Sequence, residues 1–149
     1  MIVPVIGEDY DVAAFVGAGV GISVEEFGQY TAIGFADDTG IIGGVVYNNF
    51  RRYKNGADIQ LTAYSTNPHW LNKNNLRIIF TYPYIQLGCG RTTAVTGRAN
   101  KRTRKLLEGV GYRLEGVHPK GMDGKQTAIT YGMLRENCRW INLTECKKP

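Results

Sequence analysis

Apolar and polar positions alternate most regularly over residues 57–65. Ile59, Leu61 and Ala63 stand against Asp58, Gln60, Thr62 and Tyr64. A period of two predicts a strand with one buried face. Two β-rich runs precede it, residues 30–36 and residues 41–50, separated by the turn signal Asp37-Asp-Thr-Gly. They read as an antiparallel hairpin, and residues 51–56 as a polar loop. Nearer the N-terminus, Glu8 and Asp9 lead into an apolar run. Acidic residues there suit a helix start, and Gly17, Gly19 and Gly21 are expected to weaken or end the helix, because glycine costs about 1 kcal/mol inside one.

The second half alternates helix and strand signals. Thr66 or Asn67 is expected to cap a helix with Pro68 in its first turn, running through Leu71, Leu76, Ile79 and Phe80. Pro83 should kink or stop it, and Gly88 should close the segment. Residues 91–96 read as a strand. Asn100 is a helix cap, Leu106, Leu107 and Val110 the inward stripe, and Gly111 the stop. Residues 112–117 and 126–134 read as two last strands. Strands interleaved with helices predict an α+β class, a mostly antiparallel sheet with helices on both faces. A chain of 149 residues favours one domain spanning 1–149.

Composition narrows the function classes. Hydrophobic residues are 43% and charged residues 21%, ordinary for a globular chain. The net charge of +5 favours anionic ligands without separating a small anion from a nucleic acid. Cys89, Cys138 and Cys146 are an odd set, which argues against a disulfide framework. Cys138 and Cys146 could pair, but free thiols are expected. The run Gly17-Ala-Gly-Val-Gly fails the dinucleotide spacing because position 22 is Ile. The N-terminus has no basic start or small-residue cleavage site, and no run reaches ~18 apolar residues, so a cytoplasmic protein without a membrane span is expected.

The most specific pattern lies in residues 91–140. A strand is followed by the Asn100 helix, the Gly111-Tyr112 turn, the strand Tyr112-Arg-Leu-Glu-Gly116, and a closing Tyr131-Gly-Met-Leu. In that order these elements resemble the C-terminal half of the GCN5-related N-acetyltransferases, which move an acetyl group from acetyl-CoA to an amine. The resemblance spans about residues 30 to 140. The closing Arg135-Glu-Asn-Cys-Arg-Trp140 is also similar to small acetyltransferase-like proteins of phage and prophage genomes.

The resemblance implies that strands 58–65 and 91–96 splay apart and hold acetyl-CoA in the gap. The thioester carbonyl would meet a backbone N–H among Leu61, Thr62, Ala63 and Tyr64, an oxyanion donor. A neutral amine would attack the thioester directly. Asn100, Thr103 and Arg104, at the start of the basic helix, would approach the cofactor. Three departures stand out. The family's glycine-rich phosphate loop is replaced by Ser65-Thr-Asn-Pro-His-Trp-Leu-Asn-Lys73, without glycine, leaving Ser65, Thr66, Asn67 and Lys73 as contacts. Leu107 occupies the place of a frequent acidic Tyr, with Tyr64 and Tyr112 as nearby substitutes. The short N-terminal region implies an acceptor site that is shallow or completed by a second copy of the chain.

The deprotonating base is sought in Asp58 and His69. Asp58 also reads as a strand-entry residue, His69 as a packing or capping residue, and His118 as a solvated one. Glu115 is expected to pair with Arg113 or Arg135. Arg98, Lys101, Arg102, Arg104 and Lys105 make either a solvated helix face, a phosphate contact or a nucleic-acid surface. Tyr53, Trp70, Tyr82 and Tyr84 are then stacking partners or core residues. The leading expectation is an acetyl-CoA-dependent N-acetyltransferase acting on a small-molecule or protein amine. The alternatives are a binding or assembly protein on the same scaffold, possibly viral, and a nucleic-acid binder using the basic helix.

Overall fold

The computed structural model describes residues 1–142. Seven strands form one sheet in the order β1-β2-β3-β4-β5-β7-β6. They are β1 Val3–Ile6, β2 Tyr30–Asp37, β3 Gly40–Tyr53, β4 Gly56–Ser65, β5 Arg91–Gly97, β6 Arg113–His118 and β7 Ala128–Leu134. All neighbours are antiparallel except β4 and β5. The helices are α1 Asp9–Val20, α2 Lys73–Thr81 and α3 Lys101–Val110. The α+β reading holds.

Helix α1 covers β2, β3 and β4 on one face. Val12, Ala13 and Val16 meet Phe27, Ala32 and Val46 there. The helix runs through Gly17 and Gly19 and ends only at Gly21, whose φ of 84° gives a left-handed cap. The two internal glycines are kept by close packing. A Cβ on Gly17 would meet the Ile22 carbonyl, and one on Gly19 would enter the Tyr64 ring. Contact with the sheet overrides helix propensity here.

Helices α2 and α3 lie on the opposite face. Ile79, Phe80, Tyr84, Leu107 and Val110 join Phe35, Tyr47, Ile59, Leu61, Tyr112 and Met133 in the larger core. Inside it, Thr92 Oγ1 links the hydroxyls of Tyr84 (2.8 Å) and Tyr112 (2.9 Å), and the Tyr84 hydroxyl also donates to the Met133 carbonyl. Leu106 departs from the expected stripe: it is 45% exposed, because α3 touches the sheet mainly through Leu107 and Val110.

The largest correction concerns the segment after β4. Neither Thr66 nor Asn67 caps a helix. Residues 66–71 are a loop, and α2 begins at Lys73 with Asn72 as its cap, its side chain accepting from Asn75 N at 2.8 Å. Trp70 explains the difference: it is buried against Phe35 and stacks over Gly43, where a side chain would collide with its ring. That anchor holds the preceding residues in a turn closed by Trp70 N on the Asn67 carbonyl, which leaves no room for a helix to start at Thr66 or Asn67. The helix then widens into a π turn, Tyr82–Gln86, around Pro83, and Gly88 follows with φ 70°. The expected loop at 51–56 is also corrected: β3 runs on to Tyr53 and β4 begins at Gly56, so the hairpin is longer than its hydrophobic pattern. Among the described residues, Cys89 is a free thiol and both Cys89 and Cys138 are buried, while Cys146 lies outside them. No described helix is long and apolar enough to cross a membrane.

Candidate functional site

The parallel strands β4 and β5 pair over only four positions. Asp58 faces Arg91, Ile59 faces Thr92, Gln60 faces Thr93, and Leu61 faces Ala94. Beyond that point β4 stays with β3 as far as Ser65, while β5 stays with β7 as far as Gly97. The two strands therefore diverge into an open wedge. Thr66 N donates to the Ile42 carbonyl at 2.9 Å in the β3–β4 ladder. Antiparallel ladders alternate the direction of their backbone groups. By that alternation the N–H of Ala63 turns away from β3 and toward the wedge, and the Ala63 side chain is exposed.

At the wide end, the Ser65–Trp70 stretch spends most of its donors on itself and on the Ile42 carbonyl of β3. Thr66 N serves Ile42 O, Asn67 N serves Ser65 Oγ (3.0 Å), His69 N serves Asn67 Oδ1 (2.8 Å), and Trp70 N serves Asn67 O (3.3 Å). Pro68 has none to give. The Ser65 hydroxyl donates to the Ile42 carbonyl at 2.7 Å. The donors left at this end include the Ser65 N–H, which shares the outward parity of Ala63, the first N–H groups of α2 and the Lys73 ammonium.

Across the wedge, Asn100 caps α3 by accepting from Thr103 N at 3.2 Å. Arg104 turns inward: Nε donates to the Tyr131 hydroxyl at 3.0 Å and a terminal nitrogen to the Arg98 carbonyl at 3.1 Å. The Tyr131 hydroxyl in turn donates to Glu108. Arg104 thus ties α3 to β7. Lys101, Arg102 and Lys105 remain exposed.

At the narrow end, Asp58 sits on the α1 face of the sheet beyond the helix itself. Its carboxylate accepts from Thr93 Oγ1 at 3.1 Å and lies 3.6 Å from Arg91 Nε. Arg91 also pairs with Glu115, not the Arg113 or Arg135 partner expected from sequence. Glu115 belongs to a bulge in β6 and reaches across Gly132 of the intervening strand β7. The Glu115 interaction holds the guanidinium of Arg91 in its charged form.

The candidate acid–base groups are spread out. Tyr64 shares the face of Asp58 but lies six residues along, roughly 20 Å at 3.3 Å per residue, and its ring packs against Phe15 at 5.5 Å. His69 is exposed in the loop at the wide end. Tyr112 is buried in the core on the other face, where burial pushes its hydroxyl well above the usual tyrosine range. His118 ends β6 and touches Thr130 Oγ1 at 3.2 Å. Sequence reasoning missed Thr93 and Arg91 as the partners of Asp58. Their shared parity in adjacent strands was the available signal.

No protein-family model and no curated protein matches the sequence. Solved structures do. The chain superposes on a ribosomal-protein-S5-alanine acetyltransferase from Vibrio fischeri with TM-score 0.61 at 16% identity, covering 78% of this chain and 67% of that one. It matches a chain of the NatC complex bound to Gag peptide and CoA with TM-score 0.70 at 12% identity, over 90% and 97%. It matches yncA from Salmonella typhimurium, solved with its cofactor acetyl-CoA, with TM-score 0.67 at 10% identity, over 90% and 94%. At these identities the shared property is the fold, which is that of the GCN5-related N-acetyltransferases.

Proposed function

We propose that the protein is an acetyl-CoA-dependent N-acetyltransferase. The observation that carries this reading is the wedge, where two strands on the acetyltransferase fold separate after four paired residues and leave backbone edges free. The pantetheine arm would lie between those edges. The Ala63 N–H would donate to the thioester oxygen as negative charge develops there. The acceptor nitrogen attacks the carbonyl carbon, the carbon–sulfur bond breaks, and CoA leaves as a thiolate that takes a proton from Tyr64. The nitrogen's surplus proton passes to Asp58. Asp58 lies five residues before Ala63, about 16 Å along the strand, beyond the reach of a single bridging water, so the proton would reach it only along a chain of several waters.

The cofactor phosphates would be held at the wide end by the first N–H groups of α2, Lys73, the Asn67 side-chain amide and the α3 start with Asn100 and Thr103, while the Ser65 and Thr66 hydroxyls are turned to the Ile42 carbonyl. The open face between Asp58 and Ala63 would receive the acceptor, with its amine at the Ala63 end where the thioester lies. Thermal unfolding tests the reading: acetyl-CoA at about 100 times its Kd is expected to stabilise the fold by about 2.7 kcal/mol, and an acceptor amine to release free thiol. An unchanged melting temperature at saturating acetyl-CoA would overturn it.

The self-satisfied Ser65–Trp70 loop favours a second reading, a binding module on the same scaffold without thioester turnover. A protein that melts unchanged with acetyl-CoA yet is stabilised by a macromolecular partner decides for it.

A further inference from the structure

The tip of the β3–β4 hairpin projects past the packed part of the sheet. From Asn49 to Tyr53 every residue of β3 is exposed, on both faces. The sequence there is Phe50-Arg-Arg-Tyr-Lys54, and no acidic residue occurs between Asp38 and Asp58. Phe50 is 42% and Tyr53 55% exposed. Two large exposed aromatics interleaved with three cations are not explained by packing. Among the described residues, Arg51 and Lys54 form no salt bridge, and Arg52 lies over the Phe50 ring at 5.3 Å.

The hairpin is aimed. Asn49 takes a left-handed φ of 53°, and the register shifts between Asn48 and Arg51. After the shift Arg51 stands directly opposite Asp58, and Tyr53 opposite Gly56. Opposed residues of an antiparallel pair share a face. Arg51 and Tyr53 therefore line the same face as Asp58, and Arg52 turns to the other, where it reaches the Leu87 carbonyl at 3.5 Å.

We infer that residues 50–54 are a docking surface for single-stranded nucleic acid, and that the acceptor amine is carried on that strand. This rests on the acetyltransferase reading, since it places the strand beside Asp58. Each face of the hairpin tip pairs one ring with one cation, Tyr53 with Arg51 beside Asp58 and Phe50 with Arg52 on the other face, so a strand passing over the tip can set a base against a ring and a phosphate against a cation. The other basic surface, α3, has an aromatic beside it, Trp140, whose indole is tied to the Val110 carbonyl and covered by Arg139. The other stacking candidates from the sequence are not free either: Trp70 and Tyr84 are buried, and Tyr82 is held by Thr31 and the Tyr47 ring. An acidic peptide would meet the same charges but leave both rings unused.

Fluorescence anisotropy with a labelled twelve-nucleotide oligouridylate tests the inference. Binding to the wild-type chain is expected to weaken steeply between 50 and 200 mM salt, as roughly 0.7 counterions per contacted phosphate are released. Arg51→Glu with Arg52→Glu should weaken it at least tenfold, and Phe50→Ala with Tyr53→Ala by a similar factor. Lys101→Glu with Arg102→Glu and Lys105→Glu should change it less than twofold. The inference is overturned if the α3 variant loses binding and the hairpin variants keep it, if the wild type does not bind at 50 mM salt, or if an acidic peptide binds as tightly with the same hairpin dependence. Melting of each variant with acetyl-CoA is the companion measurement. A retained shift without oligonucleotide binding removes only the docking surface, while a wild type without any shift removes the enzymatic reading beneath it.

Discussion

The Glu115 carboxylate reaches the Arg91 guanidinium by lying across Gly132, two strands joined over the top of a third. A Cβ on Gly132 would fall inside the carboxyl group. Because that group is the end of a flexible side chain, Gly132→Ala is expected to displace it, not to break the sheet. Both partners are about a third exposed, at 33% and 39%, so the pair contributes under about 1 kcal/mol. In a double-mutant cycle, Glu115→Gln should add nothing to Gly132→Ala, and full additivity would show that the bridge survives the methyl group.

Asp58→Asn keeps the size of the side chain and removes its charge beside Arg91 and its capacity as a base. Acetyl transfer is expected to fall by more than about threefold in kcat, with the acetyl-CoA melting shift preserved. Activity within threefold of wild type would exclude Asp58 as the proton acceptor.

Gly19→Ala should destabilise despite the better helix propensity of alanine. The added methyl would enter the Tyr64 ring, and forcing α1 off the sheet costs about 1–3 kcal/mol against a propensity gain of about 1. Urea unfolding checks the sign: a stabilised variant would mean that Tyr64 swings aside freely.

Tyr47, Tyr84 and Tyr112 make the fold sensitive to alkali. Burial is the first cause in each case and raises all three hydroxyls above their ordinary value near 10. Folded, they hold their protons where the unfolded chain has released them. Their neutral-state stability is full below about pH 10 and falls as pH rises toward the folded values, by up to about 1.4 kcal/mol per unit for each. Chemical unfolding at pH 9 and pH 11 should show the loss, and absorbance at 295 nm should show these rings ionising together with unfolding. A flat profile would mean the hydroxyls are solvated.

Thr92→Val removes the hydroxyl shared by Tyr84 and Tyr112. Tyr84 keeps its bond to Met133 O, but the buried Tyr112 hydroxyl loses its partner. A loss of about 1–3 kcal/mol is expected, and a neutral change would indicate an undetected acceptor.

The strands were legible wherever one face was buried. The alternation over Asp58 to Tyr64 places β4 and both of its faces, and Asn100 and Gly111 bracket α3 correctly. Local signals failed where a distant contact chose between equal options. Asn67 and Asn72 are equally good caps by type; Trp70 docking over Gly43 decides for Asn72. The hairpin tip at residues 51–53 has no apolar alternation because neither face is covered, so ladder bonds extend it without a periodic signature. The reach of Glu115 to Arg91 depends on a bulge and on an absent side chain in the strand between, which no spacing rule encodes.

Only four rungs join β4 to β5, and every other strand contact stays within β1–β4 or within β5–β7. The sheet is in effect two leaves on a short spine. Whatever lodges between their free margins supplies the missing rungs, so occupancy should slow amide exchange along both margins at once and make the molecule stiffer as a whole than either leaf alone.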